Sequence, residues 1–167
     1  MAGTSLTDVC FNSVRGLAPA SHEIGEIHDF AHACFYAVIR WYKRQDDLLP
    51  LVAAVVRGSK RAMVIADLPF GTYITPEMAV ETGTRFMKEA GAHAVKIEGG
   101  VEKVEHIRAL VASGIPVMGH IGLRPQHVHS MGGYRVQGRG ESGAAIIHDA
   151  LAIQEAGLHR ILFAAVA

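Results

Sequence analysis

The feature that most constrains the fold is the alternation of short apolar segments with longer amphipathic segments from about residue 60 onward. Largely apolar runs occupy residues 63–67, 92–97 and 115–120, and a fourth begins at Arg160. Runs of this length suit buried strands. Strand-length segments that alternate with helix-length segments are typical of parallel βαβ units, so the chain is predicted to be an α/β protein. Both a (β/α) barrel and an open doubly wound sheet fit this pattern.

The segments between these runs carry helix start and stop signals. Thr75-Pro76-Glu77 offers a capping hydroxyl, a proline for the first turn and an acidic side chain for the positive end of the helix dipole. Apolar residues at helical spacing follow Val101, and further helices are predicted over 47–58 and 142–157. Glycines end each of these segments. No G-x-G-x-x-G follows a predicted strand, which weakens the hypothesis of a dinucleotide-binding protein.

Composition limits the class of protein. A chain of 167 residues that is 50% hydrophobic and 19% charged can bury one sizeable core, and disorder is not expected. Sixteen basic residues balance sixteen acidic ones, so nothing in the net charge favours a nucleic-acid partner. Two cysteines make no disulfide framework, which favours the cytoplasm. The most apolar N-terminal stretch, 30–42, is shorter than the ~20 residues of a membrane span, and no signal peptide is recognised.

The first 45 residues differ in kind from the rest. They contain no clear βαβ unit, and we expect a separate N-terminal segment that is partly helical or poorly ordered, followed by one domain over 46–167. His28 and His32 lie four residues apart, a spacing that can bind Zn²⁺ on a helix. Because no second ligand pair has a recognisable spacing, ordinary helix histidines are the favoured interpretation.

Four ionisable residues are predicted to meet at one end of the sheet. Asp67 ends the first strand, Lys96 and Glu98 end the second, and His120 ends the third. In parallel α/β folds the carboxyl ends of the strands face one ligand-binding mouth. Asp67 and Glu98 are oxygen ligands suited to Mg²⁺, while Lys96 could hold a substrate carboxylate or a developing enolate, and His120 could bind substrate or transfer a proton. A metal ion and a cationic side chain together suit an α-keto acid that must lose a proton.

Each of these residues also has a simpler structural interpretation. Asp67 could cap the turn at Leu68-Pro69, Lys96 and Glu98 could form a strand-end salt bridge, and His120 could be a structural histidine with satisfied hydrogen bonds. Their arrival at three consecutive strand ends favours a shared site over three coincidences.

Residues 123–140 form a long glycine-rich loop for a compact domain. The loop is interpreted as a lid or a subunit contact. An RNA-binding loop is the alternative, because arginine, glycine and tyrosine can follow a backbone and stack on bases, but the neutral net charge disfavours it. Its polar and aromatic candidates are Arg124, His127, His129, Tyr134, Arg135 and Arg139.

Four segments closely resemble the ketopantoate hydroxymethyltransferase family, over about residues 46–167. They are VVRGSKRAMVIADLPFGTY, MKEAGAHAVKIEGG, GIPVMGHIGLRPQHVHSMGGYRVQGRG and DALAIQEAG. The resemblance implies a TIM-type (β/α)₈ barrel, cytoplasmic and homo-oligomeric, that uses Mg²⁺. It also implies transfer of a hydroxymethyl group from 5,10-methylenetetrahydrofolate to 3-methyl-2-oxobutanoate, giving 2-dehydropantoate in pantothenate biosynthesis. Asp67 and Glu98 correspond to metal-region acids of the family and Lys96 to its substrate-binding lysine, while Asp67 and His120 are further substrate-binding candidates.

The chain departs from the family pattern in two places. No GDS motif, whose aspartate and serine help to bind metal and keto acid, occurs in residues 1–45, and Ala164 stands where the family's general-base glutamate is expected. A complete barrel takes about 250 residues, so only about four of the eight parallel strands are predicted here. We therefore expect a truncated or weakly active hydroxymethyltransferase. The alternatives are a non-catalytic fragment that binds metal or keto acid or associates with a full-length homologue, and the product of a damaged or misread gene.

Overall fold

The computed structural model of the chain describes residues 44–158, 160–164 and 166. Nearly all of the predicted N-terminal segment, including His28 and His32, lies outside the described residues. Within them, helices and strands alternate as predicted. The helices are α1 (Gln45–Gly58), α2 (Pro76–Lys88), α3 (Val104–Ala112) and α4 (Gly143–Glu155), and the strands are β1 (Ile65–Asp67), β2 (Ala94–Glu98), β3 (Val117–Gly122) and β4 (Arg160–Ala164).

The start of α2 shows why the local sequence forms this element. The Thr75 hydroxyl accepts a hydrogen bond of 3.3 Å from the backbone N–H of Met78, and Pro76 occupies the first turn. Proline has no N–H that would be left unsatisfied there, and Glu77 places a carboxylate at the positive end of the helix dipole. The predicted helix start is therefore confirmed.

The four strands form one parallel sheet in the order β1-β2-β3-β4. Each strand lies beside the next strand in the chain, whereas in a doubly wound sheet the order reverses at a switch point. Sequential order is the arrangement of a TIM-type barrel. The structure thus confirms an α/β fold with four parallel strands, consistent with part of such a barrel, and disfavours the doubly wound alternative.

The two faces of the sheet carry different kinds of side chain. Side chains alternate along a strand, and one face, which we call the helix face, packs against the helices in the main hydrophobic core. This core includes Val95, Ile97, Val117 and Ile121 of the strands and Phe86, Ile107, Leu110 and Ile153 of the helices. The opposite face, the inner face, carries the small apolar cluster of Ile65, Ala94 and Met118 together with the ionisable residues. The polar residues thus lie on the face that a barrel would enclose.

The third strand begins and ends two residues later than predicted. Val95 donates its N–H to the carbonyl oxygen of Pro116, but Pro116 has no N–H of its own, so the paired strand starts at Val117. It continues to Gly122 because Ile121 and Gly122 pair with β4. The prediction that His120 ends the strand is wrong: His120 lies inside β3, level with Glu98 at the end of β2.

No helix among the described residues is long and apolar enough to cross a membrane.

Candidate active site at the carboxyl ends of the strands

The structure brings the four predicted residues together on the inner face. Asp67 pairs with Lys96 in the register of β1 and β2, and Glu98 pairs with His120 in the register of β2 and β3. Adjacent positions of this kind place their side chains next to each other on the same face of a sheet. The convergence inferred from the sequence is therefore present, while the chemical roles of the residues stay predictions.

Lys96 lies between the two carboxylates. Its Nζ donates a hydrogen bond of 2.5 Å to Asp67 Oδ2 and lies 3.5 Å from Glu98 Oε1. All three side chains are buried, with exposed fractions of 7% for Lys96, 11% for Asp67 and 1% for Glu98. The expected salt bridge of Lys96 with Glu98 therefore exists, but the closer partner of the ammonium is Asp67. This group is a buried charge cluster and not a solvated strand-end pair.

The cluster carries one more negative than positive charge when all three groups are ionised. Burial raises the pKa of Asp67 because it penalises the charged carboxylate, and Lys96 only partly offsets this. Burial alone would lower the pKa of Lys96, but the carboxylates of Asp67 and Glu98 outweigh it and the pKa is raised. The ammonium is thus held in its charged form. Asp67 is the member of the cluster that an additional proton or cation would stabilise.

Glu98 stays ionised in spite of its burial. Burial would raise its pKa, but His120, His127 and Lys96 around the carboxylate hold the pKa well below its usual range. Its Oε2 also accepts a hydrogen bond of 2.9 Å from the backbone N–H of Gln126. Hydrogen bonds to a charged acceptor are the strong ones, so Glu98 is fixed in place from two sides.

His120 is buried next to Glu98 but is not saturated with hydrogen bonds. Its Nδ1 lies 3.3 Å from Glu98 Oε1, yet neither ring nitrogen makes a hydrogen bond of acceptable geometry to a described residue. Burial lowers the pKa of His120, which favours the neutral ring. These contacts do not fit the alternative of a structurally satisfied histidine, since buried polar atoms in proteins are usually paired.

Two residues of the site were missed by the sequence analysis. Gln126 is buried and contacts Leu68, Tyr73 and Glu98 through its side chain or its backbone N–H. Tyr73 is buried and donates its hydroxyl to Gln126. Neither residue is ionisable near neutral pH or part of a ligand-spacing motif, so a search for catalytic residue types passes over them. Only the path of the loops brings them to the strand ends.

The long loop after β3 divides into a buried and an exposed part. Its first part, with Leu123, Gln126 and Val128 buried, packs at the site, and His127 Nδ1 lies 3.7 Å from Glu98 Oε2. Arg124 forms an ion pair with Glu102 next to the site. The later part exposes Tyr134. The beginning of the loop thus lies against the site, and the lid or subunit contact predicted for residues 123–140 stays a prediction.

Ala164 lies at the same end of the sheet as the charge cluster. It is the last residue of β4 and pairs with Gly122 at the end of β3. The position where the resemblance predicts a general base is therefore next to the site in space, but a methyl group cannot accept a proton.

The donor atoms fit a hard divalent cation with few protein ligands. Among the described residues, no three or more histidine, cysteine, aspartate or glutamate side chains are grouped so that they could hold a metal ion. However, Asp67 Oδ1 is buried and has no hydrogen-bond partner in the described part of the chain, and the cluster has a surplus negative charge. Mg²⁺ commonly takes only one or two protein carboxylates and fills its other positions with water or substrate. Asp67 is therefore the direct ligand that the donor set best supports, with Glu98 behind it.

Comparison with known proteins identifies relatives over the described region. The family profile described as Ketopantoate hydroxymethyltransferase matches residues 44–167. The chain is 58% identical over 118 residues to a 3-methyl-2-oxobutanoate hydroxymethyltransferase of Frankia alni, which covers 70% of this chain and 39% of that protein. Proteins of the same name from Saccharopolyspora erythraea and a Mycobacterium species are 57% and 56% identical over the same length. The chain spans about two fifths of the length of these relatives.

Proposed function

This chain belongs to the ketopantoate hydroxymethyltransferase family, and from that premise we propose that its site binds 3-methyl-2-oxobutanoate for hydroxymethyl transfer. The donor in this proposal is 5,10-methylenetetrahydrofolate and the product is 2-dehydropantoate. The observation that carries the proposal is the buried Lys96 between Asp67 and Glu98. Beside it lie Asp67 Oδ1 and the His120 ring nitrogens, three polar atoms that have no hydrogen-bond partner among the described residues. These atoms give a small anionic keto acid a cation and hydrogen-bonding groups in one place.

The proposed roles follow from the charge and position of each side chain. Lys96 stabilises the negative charge that develops on the keto oxygen when the C3–H bond breaks and its electron pair moves into the enolate. His120, whose lowered pKa favours the neutral ring and whose ring nitrogens make no hydrogen bond to the described residues, holds an oxygen of the substrate. The enolate carbon then forms the new bond to the methylene carbon, and both bonds from that carbon to the folate nitrogens break. One water molecule supplies the hydroxyl group and one proton, and the proton released from C3 is the second proton taken up as tetrahydrofolate leaves. A dry site strengthens each of these interactions.

A hard divalent cation, proposed to be Mg²⁺, would be held by Asp67 and, behind it, Glu98. When bound, it supplies Lewis acidity that polarises the keto group. Because Asp67 is already hydrogen-bonded to Lys96 through Oδ2, its Oδ1 is the oxygen proposed to face the cation.

Alanine stands at the position where the resemblance predicts the general base that would accept the C3 proton. Removal of a general base typically slows a reaction by about 10²–10⁴-fold, and Ala164 offers no base at the rim. The activity proposed for this chain is therefore low. The second candidate, a non-catalytic fragment that binds metal or keto acid or joins a full-length homologue, is favoured by the same buried charge cluster. In either case we propose the cytoplasm as the compartment and a homo-oligomer as the assembly.

Exchange of the C3 hydrogen of 3-methyl-2-oxobutanoate in heavy water tests the enzymatic proposal. Proton NMR follows the loss of the C3 signal with protein and Mg²⁺, against a blank with Mg²⁺ alone. Exchange above the blank that disappears in Lys96→Met, but persists in Lys88→Met on the exposed end of α2, supports catalysis. Absence of exchange above the blank rejects it.

Binding measured by calorimetry separates the two candidates. Heat of binding for the keto acid in the presence of Mg²⁺, without exchange, supports the non-catalytic binder. If wild-type protein neither binds the keto acid nor co-purifies with a full-length homologue, both candidates fail.

A further inference from the structure

The structure assigns a positioning function to Gln126: we propose that Gln126, held in place by Tyr73, fixes the distance between the end of β1 and Glu98. The consequence for substrate binding rests on the proposed function. Gln126 lies in a short 3-10 helix, Pro125–His127, within the long loop, and its hydrogen bonds to described residues involve no atom proposed to react. It acts through Glu98 and through the backbone next to Asp67.

The hydrogen bonds of the Gln126 side chain have a defined direction at each end of the amide. The Gln126 side chain donates from Nε2 to the backbone carbonyl of Leu68 at 2.8 Å and accepts at Oε1 from the Tyr73 hydroxyl at 2.5 Å. The two ends of the amide thus have opposite partners, one acceptor and one donor. Only a side chain that both donates and accepts satisfies them. An apolar residue of equal size leaves a buried carbonyl and a buried hydroxyl unpaired, which is costly.

Together with neighbouring contacts, these bonds form a ring of interactions that joins the ends of β1 and β2. Leu68 directly follows Asp67, and its N–H donates to the carbonyl of Lys96 at 3.0 Å. The backbone N–H of Gln126 donates to Glu98 Oε2 at 2.9 Å, while Glu98 Oε1 and Asp67 share the ammonium of Lys96. The ends of β1 and β2 are therefore tied together, and Gln126 supplies a connection between them that is not part of the sheet.

A second glutamine of the same loop, Gln137, makes a similar hydrogen bond with a different consequence. Gln137 also donates from Nε2 to a backbone carbonyl at 2.8 Å, but its partner is Arg135, two residues away, and the contact is exposed. Gln126 instead bridges 28 residues to Glu98 and 58 residues to Leu68. The same residue type thus serves a local turn at one position and joins three chain segments at the other.

The test replaces the amide and keeps its volume. Gln126→Met retains the packing of the side chain but removes both hydrogen bonds, and Gln137→Met is the matched control. We expect Gln126→Met to weaken keto-acid binding in the presence of Mg²⁺ by about 10–100-fold, the usual effect of losing a supporting residue behind a ligand. Gln137→Met should bind as the wild type does. Equal affinity in Gln126→Met and wild type would overturn the proposal.

An NMR measurement keeps the inference separate from the proposed function. The backbone amide proton at position 126 donates to a carboxylate, so we expect a downfield shift that Glu98→Gln and Gln126→Met both move upfield. A purely packing role for the Gln126 side chain predicts that Gln126→Met leaves this shift unchanged, which would contradict the proposal. The shift is measured without substrate. If wild-type protein does not bind the keto acid, the proposed function fails, and the amide shift still decides the positioning role.

A milder variant covers the case in which Gln126→Met does not fold. Tyr73→Phe removes a single hydroxyl, and Tyr134→Phe, at an exposed tyrosine of the same chain, is its control. We expect the amide signal of Gln126 to move in Tyr73→Phe only. An unchanged signal in both variants would show that Tyr73 does not hold Gln126.

Discussion

The centre of the sheet and its β4 side differ in how completely they are buried. All five residues of β2 and the first five of β3 are buried, whereas the described residues of β4 are half-buried or exposed. The helix that precedes β4 and packs against β3 shows the same difference: α4 buries only Ile153 and exposes 63% of Ile147 and 55% of Leu151. The charge cluster lies on β2 and at the end of β1, away from β4. Its electrostatics are therefore those of a protein interior, while β4 and α4 behave as a surface.

This difference explains why the same residue type has different consequences in the two regions. A charge on the inner face at β2 has no water to compensate it, so its partners decide its energy. A charge on the inner face at β4, such as Arg160, remains exposed.

The largest loss of stability is expected when the positively charged side chain of Lys96 is removed. Lys96→Met leaves two buried carboxylates without their partner, and breaking a buried ion pair typically costs about 3–5 kcal/mol. Arg160→Met, on the inner face of exposed β4, should change the free energy of unfolding by less than about 0.5 kcal/mol. Denaturant unfolding measures both. Similar losses in the two variants would show that the centre and the β4 side are equally solvated.

The next largest loss of stability is expected when Glu98 is replaced, and this loss should depend on pH. Because the pKa of Glu98 is lower in the folded protein than its ordinary value of 4.5, the ionised group stabilises the fold above that value. This stabilisation is lost as the pH falls through the folded pKa. Glu98→Gln should therefore cost about 1.5–3 kcal/mol at pH 7, as expected for hydrogen bonds to a charged group, and progressively less below about pH 4.5.

Urea unfolding of metal-free protein at several pH values checks this dependence. Glu155→Gln, on exposed α4, is the control and should cost little at any pH. A difference between wild type and Glu98→Gln that grows on acidification would contradict the sign of the pKa shift.

A smaller effect is expected where the centre meets α4. A Cβ on Gly119 of β3 would come within 2.7 Å of Leu158 and 2.9 Å of Ile153, so Gly119→Ala should cost about 1–3 kcal/mol, as overpacked cores do. Gly58→Ala, at the end of α1 with no atom within 4 Å, should be neutral or stabilise by up to about 1 kcal/mol. Thermal unfolding distinguishes them. Equal stability of Gly119→Ala and wild type would show that α4 is free to move away from the sheet.

The smallest effect is expected on the outer side of α4. Ile147→Gln and Leu151→Gln should each change the free energy of unfolding by less than about 0.5 kcal/mol, because both side chains are already largely in water. Ile153→Ala, on the buried side of the same helix, should cost about 2–5 kcal/mol. Equilibrium unfolding measures all three. A loss above about 1 kcal/mol at Ile147 would show that this surface is covered in solution.

The order of elements followed from local patterns, since capping residues, glycines and apolar spacing act within a few neighbouring residues. The start of α2 at Pro76 is one example. Strand limits depend instead on the neighbouring strand, which is why β3 runs to Gly122, beyond the predicted end at His120. The choice between a barrel-type sheet and a doubly wound sheet also required the pairing of the strands, because both arrangements use the same alternating pattern.

The sequence by itself determined that Asp67, Lys96 and Glu98 meet at one end of the sheet, because side chains alternate along strands and parallel strands share their carboxyl ends. Only the tertiary structure decided that Lys96 bonds more closely to Asp67 than to Glu98, and that Gln126 and Tyr73 complete the site. The physical reason is that the face on which a strand side chain lies depends only on its position along that strand, which is a local property of the chain. Distances between side chains, and the burial that sets their pKa values, arise from segments that lie far apart in the sequence.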